Sequence, residues 1–341
     1  MFSSDRSAAT PKHPKTLSIG GVTYDLFVRL PHDQVHASEH AKDFHLPLGE
    51  KVRVERVIET CGGGAGNTAV GLARLGCSAS VSSVVGEDQW GQRLLDNFRK
   101  EHVSTESLTV VEGETTSFSI ILSGGGGERV ILYTPGANVH LHDALFDRDA
   151  MQTAEWIVLN HIQENACMIH DDLIQWLKHS GKGLTWNPGG CVLRKGSKDA
   201  EIAALLQCTH LLIVNKEELL QFTGMSDTHD ALRHLISLGV RFVCMTDGSR
   251  GVMATDGTKL YRCGPCPGVT VADTTGAGDA FTTAATWALL HGGDLPEALR
   301  AGTINSGSVV AVIGAQGGLL TDIELRERLR STKIDVSIEN F

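Results

Sequence analysis

Short apolar runs and amphipathic segments take turns along most of this chain, and that alternation limits the folds open to it more than any other feature. Strand-like runs fall at residues 80–85, 154–159, 183–186, 210–214 and 241–246, and helix-like segments at 90–101, 166–179, 200–207, 217–223 and 230–238. Alternation of this kind predicts a mostly parallel sheet with helices on both faces, because each crossover must pass over the sheet before the next parallel strand can start. In such folds ligands bind beyond the carboxyl ends of the strands. Asp25, Asn187, Asn215 and Asp247 all fall just after predicted strands, so they are expected along one rim.

Three segments do not fit the alternation. Residues 52–58 (Val-Arg-Val-Glu-Arg-Val-Ile), 116–122 and 129–133 are short and hairpin-like, the first with a clear period of two and the others flanking the turn Gly124 to Gly127. They read as a small β-sheet projecting from the main body, a discontinuous lid drawn from about 27–58 and 114–134. The run 16–28 reads as one strand whose C-terminal end carries Asp25. Residues 1–15 are polar and lack the apolar stretch of a secretory signal, so they are expected to be a flexible tail. The expected division is one large domain over 16–330 and a second tail over 331–341.

Composition narrows the partners. With 30 basic and 40 acidic residues the chain carries a net charge of −10, which argues against nucleic acid or an anionic membrane. No apolar run reaches the roughly 18 residues a membrane-spanning helix needs. The eight cysteines are scattered through apolar segments, the pattern of reduced thiols in a cytoplasmic protein. Cys263-Gly-Pro-Cys266 has the spacing of a redox pair or half a zinc site, but no second pair or clustered His completes zinc ligation.

Chemistry concentrates in two glycine-rich turns. In Asp273-Thr-Thr-Gly276-Ala277-Gly278-Asp279 the turn feeds a helix-like run over 280–290. The first N–H groups of a helix lack internal partners and sit at the positive end of its dipole, which favours an anion. Asp279 in the same turn would repel that anion, unless the charge develops during reaction beside a base that takes a proton. Phosphoryl transfer to a hydroxyl has this layout, although Asp in the first turn of a helix is also common for structural reasons. The second turn, Gly62-Gly63-Gly64-Ala65-Gly66-Asn67, can be read as a dinucleotide fingerprint, Gly64-x-Gly66-x-x-Ala69, with Glu87 or Asp88 as ribose ligand. The alternating strand before it fits that reading poorly, since a dinucleotide-binding first strand is buried on both faces.

With these motifs in order, the chain resembles the ribokinase-like carbohydrate kinases (the PfkB family) from about Thr16 to Ile323. Residues 62–76 resemble the family's N-terminal signature and 273–281 its C-terminal one. Asn215-Lys-Glu-Glu218, Thr246-Asp-Gly-Ser-Arg-Gly251, Pro135-Gly-Ala-Asn138 and Gly314-Ala-Gln-Gly317 resemble its Asn-x-x-Glu motif, nucleotide turn, lid-return segment and pocket-closing turn. The resemblance implies a three-layer α/β/α fold with a β-sheet lid whose closure excludes water. It makes Asp279 the general base, and gives the N–H groups of Gly276, Ala277 and Gly278 to the transferred phosphoryl.

By the same resemblance Asp25, Gly63, Gly64 and Asn67 hold substrate hydroxyls. Asn215 and Glu218 organise Mg2+ and the ATP phosphates, Glu218 through water, and Thr246, Gly248, Gly251 and Asn305 line the nucleotide. A K+ site would involve Asp273 and Thr275 with carbonyls near Val309, Val312 and Gly314, and Glu164 is a candidate acidic substrate ligand. The implied activity is ATP-dependent phosphorylation of a primary hydroxyl of a sugar. Because Gly64-Ala65 leaves room for a base, the 5′-hydroxyl of a nucleoside is the alternative, and a dinucleotide-dependent oxidoreductase a remote one. A silent sugar-binding regulator would lack the base that Asp279 supplies. Exposed lid strands would be an edge liability, which favours a homodimer through the lid.

Overall fold

The structure, a computed structural model, describes residues 13–31, 35–37, 42–44, 46–124, 129–141, 147–162 and 169–341. Its strands in chain order begin with β1 (Lys15–Ile19), β2 (Thr23–Arg29), β3 (Val35–Ala37), β4 (Lys42–Phe44), β5 (Arg56–Gly62) and β6 (Ser78–Gly86). Then come β7 (Leu108–Val111), β8 (Phe118–Ser123), β9 (Arg129–Thr134), β10 (Trp156–Leu159) and β11 (Gly183–Trp186). The last are β12 (Leu211–Asn215), β13 (Phe242–Thr246), β14 (Val252–Thr255), β15 (Lys259–Cys263) and β16 (Val336–Asn340).

Ten of these form one sheet in the order β16-β15-β14-β13-β12-β11-β10-β1-β6-β7. From β7 to β13 every pairing is parallel, and β14, β15 and β16 add an antiparallel edge. All four residues of β10 are buried. Ile157 and Leu159 belong to one core and Trp156 and Val158 to the other, which is why the strand reads as a continuous apolar run. Phe281 and Trp287, each 2 % exposed, anchor the helix Ala277–Leu290 on the second core. Burying each is worth about 1.5–3 kcal/mol or somewhat more, so the glycine-rich turn at the head of that helix sits on a firm base. The winding reverses at β1, which has β6 on one side and β10 on the other, and a doubly wound sheet opens its ligand crevice at such a point.

The small sheet is present as expected, in the order β5-β2-β8-β9, and β3 pairs with β4 separately. Two boundaries differ from the sequence reading. The run 16–28 is two strands, because the chain leaves the large sheet at Gly20-Gly21 and enters the small one as β2. Asp25 therefore lies within the small sheet, opposite Thr60 of β5 and Ser119 of β8, and not at the end of β1. The strand expected over 52–58 runs instead from Arg56 to Gly62, the length that β2 offers for pairing.

The segment 331–341 is not a tail. Val336–Asn340 pairs with β15 at five positions, held by its backbone while most of its side chains stay exposed. That exposure removes the apolar pattern by which a strand is recognised. Among the described residues no helix is long and apolar enough to cross a membrane.

Candidate active site

The helix Ala277–Leu290 starts at Gly276, whose φ of +77° is a left-handed conformation that favours glycine, and no side chain caps it. A Cβ on Gly276 would lie 2.4 Å from the Ala315 Cβ. Among the described residues the N–H groups of Gly276 and Gly278 have no backbone acceptor, and that of Ala277 donates to the Thr274 carbonyl at 3.3 Å. An uncapped helix head with free donors has the geometry that favours an anion.

Asp279 sits in the first turn of this helix. The Asn67 side-chain nitrogen donates to its Oδ2 at 2.7 Å. The Asn67 oxygen in turn accepts from Gln316 Nε2 at 3.1 Å, and the Gln316 oxygen accepts from Asn97 Nδ2 at 2.9 Å. An amide can present either end to a carboxylate, and this chain of donors decides which end Asn67 shows. Arg74 steadies the turn that carries Gln316, donating to the carbonyls of Gln316 (2.7 Å) and Leu319 (3.0 Å) while paired with Glu101. Burial pushes the pKa of Asp279 upward, and the Asn67 hydrogen bond holds part of that shift back.

Across the crevice, Gly63 precedes the helix Gly64–Arg74 at φ +82°, and a Cβ there would lie 2.5 Å from the Gly21 carbonyl oxygen. Asp25 is 7 % exposed. Burial raises its pKa to about 7, the Ser119 hydrogen bond opposes the rise, and the negative charge of Asp273 adds to it. Three buried oxygens beside these residues lack a partner among the described residues: Thr60 Oγ1, Asn138 Oδ1 and Asn160 Oδ1. Thr60 faces Asp25 across the strand pair, Asn138 abuts Gly21, and Asn160 fills the space a side chain at Gly64 would take. Glu164 lies outside the described residues.

At the next strand ends, Asn215 and Thr246 are register partners on β12 and β13. Asn215 and Glu218 form a reciprocal capping box at the start of the helix Lys216–Thr223. Burial raises the pKa of Glu218, and the nearby charges of Glu217 and Asp279 add to the shift. Gly248 opens a one-turn helix after β13, and Gly251 closes it against the Cys263 carbonyl.

Asn305 departs from its expected role. It is 1 % exposed and bolts two elements together, donating to the Ala280 carbonyl at 2.8 Å and accepting from the Leu320 N–H at 3.0 Å. Both its polar ends are spent on backbone, so it shapes the head of the helix Ala277–Leu290 and does not line a nucleotide pocket.

Asp273 ties the turn down with both oxygens. Oδ1 accepts from the Thr275 N–H (3.1 Å) and hydroxyl (2.8 Å), and Oδ2 from the Gly314 N–H (3.1 Å). Arg129 reaches from β9 of the small sheet to Asp273 Oδ1 (3.2 Å) and Thr274 Oγ1 (2.7 Å). A cavity of about 420 Å³ between that sheet and the turn is lined by Phe27, Ile58, Arg129, Asp273 and Thr274. Sequence reasoning assigned no role to Arg129, Gln316 or Asn97, whose partners are distant in the chain, nor to Thr60 and Asn160. Cys263 and Cys266 are free thiols, and no cluster able to hold a metal ion occurs among the described residues.

The turn Gly62–Gly66 follows an antiparallel strand of the small sheet, not a parallel strand of the large one, so a dinucleotide site has no support here. The pfkB family carbohydrate kinase model matches residues 35–322. The chain is 27% identical to a ribokinase of Haemophilus influenzae over 322 residues, covering 92% of this chain and 98% of the relative. It superposes on Arabidopsis thaliana ribokinase complexed with ribose and ATP at a TM-score of 0.79 and 23% identity, over 93% of this chain and 99% of that one. A Burkholderia thailandensis nucleoside kinase in complex with inosine gives a TM-score of 0.75 at 19% identity, over 93% and 98% of the two chains. At such identities the structural likeness is one of fold. The chain belongs to the pfkB family and is an ATP-dependent carbohydrate kinase.

Proposed function

We propose that the chain phosphorylates a primary hydroxyl of a sugar, with Asp279 as the general base. The observation that carries this reading is the meeting of a carboxylate, fixed by Asn67 at 2.7 Å, with the uncapped head of its own helix. The substrate hydroxyl loses its proton to Asp279 as its oxygen bonds to the γ-phosphorus of ATP, whose bond to the bridging β-phosphate oxygen breaks and releases ADP. The N–H groups of Gly276, Ala277 and Gly278 face the charge that gathers on the phosphoryl oxygens, Ala277 giving up its long bond to Thr274. Asp25, Asn67 and the peptide at Gly63-Gly64 hold the other hydroxyls. The unpartnered oxygens of Thr60, Asn138 and Asn160 are acceptors that a polyol can satisfy.

The donor side fits ATP and Mg2+. Thr246, Gly248 and Gly251 flank an open turn where a Cβ on Gly248 would meet nothing within 4 Å. Asn215 and Glu218 stand at the adjacent strand end, and Glu218 keeps one oxygen outside the capping box for a water of hydrated magnesium. ATP supplies the phosphoryl group and Mg2+ the neutralising charge. With both Asp273 oxygens engaged, a K+ ion in the 273–314 loop pair would be held chiefly by carbonyls around Thr275, Val309, Val312 and Gly314.

A nucleoside acceptor is the second reading. Gly64-Ala65 leaves less room for a base than its small residues imply, because Asn160 lies against Gly64 and Ala65 is fully buried. A sugar is therefore favoured. The exposed strand β9, with Ile131 and Leu132 half exposed, offers a pairing edge for a second copy in a cytoplasmic homodimer. ATP turnover against a panel of pentoses, hexoses and nucleosides tests the reading, which fails if no sugar is phosphorylated.

Two further results are expected. Gln316→Leu removes the donor that holds the Asn67 oxygen, so Asn67 can turn that oxygen toward Asp279. A hydrogen bond to a charged group is worth about 1.5–3 kcal/mol, so kcat/KM should fall roughly 10- to 100-fold. The acidic limb of its pH profile should also move upward. A purely structural loss would lower Tm without moving that limb.

Asp25 supplies a second limb. Its carboxylate accepts two hydroxyls only when ionised, so kcat/KM for the sugar should fall below pH 7, and Asp25→Asn should abolish that limb. Stability runs the other way. A folded pKa of about 7 lies above the unfolded value of 3.8, so wild-type stability drops as pH rises from about 4 to 7. Melting curves of Asp25→Asn should lack that drop.

A further inference from the structure

The amino ends of the large-sheet strands, opposite the proposed active site, border a cavity of about 1020 Å³. Basic residues recur there at strand starts: Lys182 just before β11, Arg241 just before β13, and Lys259 opening β15. Lys178 joins them from the helix Ile169–Ser180. Backbone pairing sets the spacing of this row. Arg241 N–H donates to the Thr209 carbonyl at 3.1 Å, and Phe242 N–H to that of His210 at 2.9 Å. Neighbouring strands lie about 4.8 Å apart, so successive cations on β11, β13 and β15 stand roughly 10 Å apart and the outer two about 20 Å.

None of the four cations has an acidic partner among the described residues. The two carboxylates in the cavity wall offset part of this charge, but their oxygens are directed to other donors. Asp256 accepts from the Thr258 N–H and hydroxyl, the Lys259 N–H and the Tyr261 hydroxyl, which hold its pKa down at about 2. Asp294 caps the helix Leu295–Val309 through the Glu297 N–H at 2.9 Å. The Arg241 guanidinium lies 5.0 Å from the centroid of the Phe242 ring, a stacking that orients its donors. In a chain of net charge −10, a concavity where cations outnumber carboxylates four to two is not an outcome of composition. A cleft with an excess of one sign of charge focuses its field and concentrates counter-ions.

We propose that this cavity is a second, non-catalytic binding site for a small polyanion carrying two or more phosphoryl groups. The spacing suits a ligand whose charges are spread over several ångströms, either a nucleoside polyphosphate or a sugar bisphosphate. A single phosphate engages only one end of the row. The proposal is independent of the kinase chemistry, and its test does not use turnover.

The test is calorimetric titration with inorganic pyrophosphate at low and at 0.5 M salt, followed by separate arms with ADP and with fructose 1,6-bisphosphate to distinguish the two sources. Wild type should bind pyrophosphate, and added salt should weaken it. Lys182→Ala/Arg241→Ala should lose the site or bind at least tenfold more weakly, while any binding at the anion site of the catalytic helix persists. Arg241 is exposed and Lys182 partly so, and the melting temperature checks that the variant folds. Lys178→Ala/Lys259→Ala, which changes two other exposed side chains, should give the same loss. Equal stoichiometry and affinity in wild type and both variants would overturn the proposal.

Discussion

Asp279→Asn is expected to cut kcat by about 10²- to 10⁴-fold, the range that a positioned general base contributes. The change preserves shape, and Asn67 can still donate to the oxygen of the new amide. What is lost is the ability to take a proton. Calorimetry should find sugar affinity within a few-fold of wild type, because Asp25 and Asn67 still hold the hydroxyls. A coupled assay that left the variant with more than a tenth of its rate would remove Asp279 from the role of base. The variant should also fold at least as well as wild type at neutral pH, since burial opposes the charge that the substitution deletes.

Gly276→Ala should cost about 10²- to 10³-fold in kcat, comparable to losing a donor from an oxyanion hole. The methyl group meets two obstacles. Its backbone stands at φ +77°, and its Cβ would sit 2.4 Å from that of Ala315. The turn must shift, moving the Gly276 and Gly278 N–H groups off the transferred phosphoryl. A non-glycine residue in such a conformation costs about 1–3 kcal/mol, so Tm should fall as well.

Gly278→Ala is the control. That glycine is helical and open, with nothing within 4 Å of an added methyl, so Tm should hold or rise while the methyl crowds the phosphoryl site. If Gly276→Ala turned over at the wild-type rate, the anion site would have to lie elsewhere.

Much of the architecture was legible because it is written in local periodicity. Continuous apolar runs such as β10 announce strands buried on both faces, and the glycine-rich turns stand where the chain enters the helices Gly64–Arg74 and Ala277–Leu290. The relay behind Asp279 was not legible. Asn97 and Gln316 are 219 residues apart, Gln316 and Asn67 249, and Asn67 and Asp279 212, and no pattern along the chain couples such positions. Asn305 misled for a related reason, because an Asn on a helix looks the same in sequence whether it meets water or two backbone groups. The strand β16 was missed because its side chains mostly face solvent.

Asp25 rides on the sheet that covers the site, whereas Asn67 and Asp279 belong to the body beneath it. Under the roles proposed for Asp25 and Asn67, the distance between cover and body becomes a ruler for the acceptor. An alcohol long enough to reach Asp25 and Asn67 together ties the two parts at the spacing the reaction needs. A shorter alcohol, however nucleophilic its hydroxyl, touches one part only and leaves the other unregistered. Chain length of the acceptor, more than the acidity of its hydroxyl, would then set which alcohols are good substrates, with the binding energy of the far hydroxyl spent on aligning the near one.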